Sequence, residues 1–134
     1  MAKNKATTYE EVVKKFHSMP LTKFEIQKGL EREWFSTAVA DYELNIGCDL
    51  EYNEKKEKFS KKLDGSVVRT LAQMIYVSYL QRELSRVMAI NGIYAKDVQV
   101  TGQDATKRVT KQELDDQIAL VERLLHRQKD PAYG

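Results

Sequence analysis

The side chains able to do chemistry are few and scattered along the chain. His17 and His126 fall in separate predicted helices, neither has a second His or a Cys at ligand spacing, and the single cysteine, Cys48, has no activating motif beside it. No metal site is expected. Two acidic pairs, Glu10-Glu11 and Asp115-Asp116, could in principle serve as acid and base. Both sit in the first turns of predicted helices, where carboxylates complement the helix dipole without any chemistry. The six glycines are scattered and none precedes Lys-Ser or Lys-Thr at phosphate-loop spacing, so neither ATP nor a dinucleotide is expected. These absences point to a protein without enzymatic activity and without a cofactor.

The only dense basic run is Lys55, Lys56, Lys58, Lys61 and Lys62, with Glu54 and Glu57 interleaved. A basic loop can track a phosphate backbone, and the nearby Tyr52 and Phe59 could stack on bases. The interleaved acids dilute that field, which favours a solvated loop over nucleic-acid contact. Lys107, Arg108 and Lys111 form a smaller cluster, and no helix-turn-helix with a basic second helix is evident. Over the whole chain 22 basic residues nearly balance 20 acidic ones, leaving no global footprint for nucleic acid or membrane.

The elements that hold these residues are predominantly helical. A chain of 134 residues suits one domain, expected to span 1–134 with a flexible N-terminus at 1–7 and a tail at 130–134. Thr8 with Glu11, Thr22 with Glu25, and Thr110 with Glu113 each match the capping box, in which a Thr hydroxyl and a Glu carboxylate satisfy first-turn N–H groups. The first helix is predicted over 9–18, with Val12, Val13 and Phe16 inward and Pro20 beyond its end. The second is predicted over 23–45, with Ile26, Leu30, Trp34, Ala38 and Tyr42 on one ridge, Phe35 and Val39 beside it, and Gly29 as a potential break.

A third helix follows Asp64 or Ser66 and carries LAQMIYVSYL at 71–80, apolar around its whole circumference. Such a helix must be covered on every side. It is expected to end at Asn91-Gly92, a pair suited to a left-handed cap. The fourth is predicted after Thr110, with Leu114, Ile118, Val121 and Leu125 on one stripe, acids in its first turn, and Arg123, His126, Arg127 and Lys129 in its last. Two long loops separate the helices. Residues 47–63 read as a protruding loop or weak hairpin whose Leu50, Tyr52 and Phe59 are too sparse for a buried face. Residues 93–109 alternate at Val98, Gln99, Val100 and Thr101 before Gly102, which favours a short strand and turn. The expected fold is therefore an all-α bundle of about four helices with a lysine-rich loop and a strand-like extended loop.

So apolar a third helix has few partners in a short chain, and self-association would cover it. Trp34, Phe35, Tyr76 and Tyr79 are the expected contact residues, with burial in the monomer core as the competing reading. The longest apolar run is about half of the roughly 20 residues that span a bilayer, so no membrane is expected. With no signal-peptide pattern and a lone cysteine, synthesis in a reducing cytoplasm is expected.

The run YLQRELSRV at 79–87, its lead-in at 71–76, KDVQVTGQDATKRVTKQEL at 96–114 and EREWFSTAVADYELN at 31–45 resemble the head-to-tail connector proteins of tailed bacteriophages, also called adaptor or head-completion proteins. The similarity is one of order, length and helical pattern over most of the chain. It implies a virion protein of the neck, made in the host cytoplasm, whose copies form a homo-oligomeric ring, twelvefold or else sixfold. That ring would lie between the portal protein and a neck or tail-completion protein, and would extend the DNA channel without reading sequence. By the resemblance, His126, Arg127, Lys129, Pro131 and Tyr133 belong to an arm that docks into the portal. Lys55, Lys56, Lys58, Lys61 and Lys62 would face the channel or a neighbouring protein. The alternative is a small nucleic-acid-binding or regulatory helical protein that uses Lys55 to Lys62.

Overall fold

Helix α1 (Tyr9–His17) starts where Thr8 takes extended geometry and its Oγ1 accepts a hydrogen bond from the Glu11 N–H at 3.2 Å. That bond satisfies one of the donors an initiating helix leaves unpaired. Val12, Val13 and Phe16 are buried, as their spacing predicts. The structure, a computed structural model, describes residues 5–21, 26–94 and 101–129, with side chains at 5–21, 26–86 and 108–129.

Helix α2 (Lys28–Ile46) begins later than predicted, with Gln27 as its N-cap. The Thr22–Glu25 capping box lies outside the described residues. Gly29 falls in the first turn and does not break the helix. At the other end Gly47 adopts φ 79°, a left-handed position that costs glycine little, and its N–H donates to the Glu43 carbonyl at 2.8 Å. The buried face comprises Phe35, Ala38, Val39, Tyr42 and Glu31, whereas Leu30 and Trp34 are half-buried. The core-facing line is thus rotated toward Phe35 and Val39.

The lysine-rich segment folds as a two-stranded antiparallel hairpin, β1 (Tyr52–Asn53) and β2 (Lys58–Phe59), in which Tyr52 pairs with Phe59 and Asn53 with Lys58. Of the two sequence-based readings, protruding loop or weak hairpin, the hairpin is the one observed, and the expectation that its apolar residues are too sparse for a buried face is corrected. Leu50, Phe59 and Leu63 are all core residues. Phe59 and Leu63 are held by the chain entering α1: the Phe59 N–H donates to the Thr7 carbonyl at 2.9 Å, the Tyr9 N–H to the Glu57 carbonyl at 2.9 Å, and the Leu63 N–H to Thr7 Oγ1 at 2.8 Å, whereas the Leu50 N–H donates to Glu43 Oε2 of α2 at 2.7 Å. Thr7, expected within a flexible terminus, is buried and tied to the hairpin at both ends of its peptide.

Helices α3 (Gly65–Tyr94) and α4 (Thr101–Lys129) are longer than predicted. Asn91-Gly92 lies inside α3 and does not end it, and Thr110 lies inside α4 and does not cap it. Of the expected extended loop at 93–109, residues 93–94 and 101–109 are helical, while Val98, Gln99 and Val100 lie outside the described residues. A helix-interior glycine costs only about 1 kcal/mol relative to alanine. The α3–α4 contact, the most extensive between any two elements, can offset that. Helix α3 also packs on α1 and α2, so Leu71, Ala72, Ile75, Tyr76, Tyr79 and Leu80 are covered from several sides within one chain. The described residues thus form a mostly helical fold of four helices with one small two-stranded sheet.

Candidate functional site

Two aromatic groups organise the packing. Tyr9, Phe35, Tyr52 and Phe59 join the hairpin to α1 and α2, with Tyr9–Phe35 and Tyr52–Phe59 centroids 4.8 and 4.9 Å apart. Phe16, Trp34, Tyr79 and Tyr76 form the second, where Trp34 meets Tyr79 edge-on at 6.4 Å and Tyr76 stacks on Tyr79 at 5.8 Å. The Arg82 guanidinium lies 5.6 Å from the Trp34 ring and 5.7 Å from Tyr79, covering the half-buried side of that group. Glu83, a buried carboxylate, accepts from Arg82 at 3.2 Å and from Arg86 at 2.5 Å.

The residues expected at a subunit contact are therefore placed mainly inside the chain. Phe35, Tyr76 and Tyr79 are core side chains here, with Tyr79 only 1% exposed, and Trp34 alone of the four retains appreciable surface. Sequence spacing put them on the correct helices but could not say that α1 and the hairpin cover them.

The five lysines are brought together on the hairpin and the short segment that follows it. Lys55, Lys56, Lys58, Lys61 and Lys62 are all exposed. Glu57 pairs with Arg32 of α2 at 2.7 Å, so one of the two interleaved acids is already engaged. That bond is the main reason the Arg32 guanidinium holds its proton more strongly than usual. Beneath the hairpin a cleft of about 310 Å³ is lined by Tyr9, Arg32, Phe35, Ser36, Tyr52 and Glu54. Burial pushes the Tyr9 and Tyr52 hydroxyls above their ordinary range, as it must for groups whose charged form loses water.

His126, Arg127 and Lys129 are exposed at the end of α4, while Pro131 and Tyr133 lie outside the described residues. Arg127 shares a cleft of about 400 Å³ with Arg69 and the first residues of α3. Nearby, Gln128 bridges three helices: Tyr42 Oη donates to its Oε1, and its Nε2 donates to Thr70 Oγ1 at 2.8 Å. Nothing in the local sequence signals that bridge, since its partners are 86 and 58 residues away.

A second surface lies between α2, α3 and α4. It is a groove of about 370 Å³ with Met74, Val77, Ile118 and Val121 in its floor and Asp41 and Glu122 among its lining. The lining includes no basic side chain. Open on one side and mainly apolar, it suits a protein or peptide contact better than a small polar substrate.

Catalytic chemistry finds little footing among the described residues. No group of three His, Cys, Asp or Glu is placed to hold a metal ion there. Burial, followed by the nearby Glu43 and Asp49, raises the Cys48 thiol above its ordinary range, the opposite of an activated nucleophile. His17 is held by Glu31, with Nε2 and Oε2 2.6 Å apart, which ties α1 to α2. Among the described residues no helix is long and apolar enough to cross a membrane. In comparisons with known proteins, no family model, no curated protein and no solved structure matches this chain.

Proposed function

We propose that this protein is a structural connector of a phage neck, an all-α bundle whose copies form a ring between portal and tail and line the DNA channel. The observation that carries the reading is the pairing of an open, mainly apolar groove with a separate hairpin whose five lysines are all exposed. Those are the surfaces of a protein that works by contact. The resemblance in residues 31–45, 71–87 and 96–114 supplies the neck assignment. By the same resemblance the lysine hairpin faces the channel or a neighbouring protein, and its exposed lysines are available for either. His126, Arg127 and Lys129 are exposed and available to a portal.

A nucleic-acid-binding or regulatory role remains the second reading, favoured by the exposure of all five lysines. Affinity purification of the tagged chain from its producing cells, with and without nuclease, separates the two. Recovery of portal and tail components that survives nuclease supports the connector. Recovery of nucleic acid alone, lost on nuclease treatment or when Lys55, Lys56 and Lys58 become glutamine, overturns it.

A further inference from the structure

The groove between α2, α3 and α4 and the lysine hairpin sit on opposite flanks of α2. Arg32 and Ser36 line the cleft under the hairpin, whereas Thr37, Asp41 and Asn45 line the groove. At 3.6 residues per turn the two rows lie roughly 160° apart around the helix axis. The net charges on these flanks are opposite, since exposed Glu54 offsets only one of the lysines on the hairpin. Asp41 and Glu122 are the charged residues of the groove, and neither joins an ion pair among the described residues. On the hairpin, Lys55, Lys56 and Lys58 are exposed and likewise outside any ion pair there, while Glu57 is occupied by Arg32.

From this placement we infer that the groove receives the lysine hairpin of a second copy of the chain. The inference rests on the ring-forming part of the connector reading and assigns the two halves of its contact. Pairing groove to groove would set Asp41 and Glu122 against the same carboxylates of the other copy, and like charges in apposition oppose association. Groove to hairpin instead brings Lys55, Lys56 and Lys58 to Asp41 and Glu122. Because the two patches differ and face apart, each copy keeps one free half after binding. A contact of this kind propagates head to tail and closes into a ring when its rotation permits.

A charge swap on the full chain tests this. One variant carries Asp41→Lys with Glu122→Lys, the other Lys55→Glu with Lys56→Glu and Lys58→Glu, and circular dichroism checks the helix content of each. Native mass spectrometry and sedimentation should show self-association of the parent chain, weakened roughly tenfold or more in either variant alone. The equimolar mixture should recover it, since each variant then meets its complement. Folded variants that assemble like the parent, or a mixture that fails to recover, overturn the inference, as does a parent chain that stays monomeric at millimolar concentration. Carbodiimide coupling of mixed isotopically labelled and unlabelled parent chains reads the same contact without any substitution. It should join Lys55, Lys56 or Lys58 of one copy to Asp41 or Glu122 of another, and intermolecular links confined to other pairs would count against it. Capture of portal and tail components is scored separately, so this contact can fail while the connector reading stands, and the reverse.

Discussion

Gln128 Nε2 donates a 2.8 Å hydrogen bond to Thr70 Oγ1, and through it the last turns of α4 are fastened to the first turns of α3. Thr70 is buried and its Oγ1 donates a hydrogen bond to the Ser66 carbonyl at 2.7 Å, while Gln128 Oε1 accepts from Tyr42. Gln128→Ala removes the donor to Thr70 and the acceptor of Tyr42 together. A loss of about 1–3 kcal/mol is expected, read by urea denaturation, and Gln128→Glu should recover part of it by restoring the acceptor alone.

Phe59 is 1% exposed and touches both Tyr52 and Phe35. Phe59→Ala should cost about 3–5 kcal/mol, the range for removing a large buried aromatic. Hydrogen exchange should localise the damage, because the amides of Phe59, Tyr9 and Leu63 all bond across the hairpin and the entry to α1. Unchanged protection at those amides would show that the backbone bonds hold the hairpin without its aromatic anchor.

Tyr79→Asp places a carboxylate among Phe16, Trp34 and Tyr76. Burying a charge there should abolish the cooperative thermal transition and not merely the association of copies. A variant that melts normally as a monomer but no longer assembles would mean that Tyr79 reaches an intermolecular surface.

Alkaline pH should destabilise the fold through its tyrosines. Burial, with Glu113 and Tyr79 adding to it, raises the Tyr76 hydroxyl above the ordinary value of 10.0. The unfolded chain therefore loses that proton first. The stability conferred by the neutral phenol is complete below the ordinary value and is lost as pH rises through the folded one. The melting temperature should fall above about pH 10, and Tyr76→Phe, which has no proton to lose, should make the fall shallower. Tyr9 and Tyr52 are shifted the same way, so the slope should not vanish.

Cys48 is exposed yet its thiol is held protonated by partial burial and by Glu43 and Asp49. Iodoacetamide at about pH 8 should modify it more slowly than a cysteine in an unstructured peptide. Faster modification would reveal an activating neighbour.

Helix α1 was legible because its signals are local: the Thr8 cap, the two glutamates of the first turn, and an inward face repeating within nine residues. Its Val12, Val13 and Phe16 are buried as read. The apolar circumference of α3 was legible too, for the same reason. Asn91-Gly92 and the Thr110 box misled, since a stop or start signal is worth about 1 kcal/mol and long-range packing of α3 on α4 outweighs it.

What the chain's order of residues determined by itself is the helical character, the apolar segment that must be covered, and the basic run between two helices. Tertiary structure alone decided what covers that segment. Phe59 reaches the core only because Thr7 pairs with its strand, Tyr79 is enclosed only because α1 brings Phe16 across it, and Gln128 finds Thr70 from 58 residues away. Local propensities and caps act over one turn, whereas these contacts close long loops whose entropic cost is met by the buried area of the whole core and by no single segment.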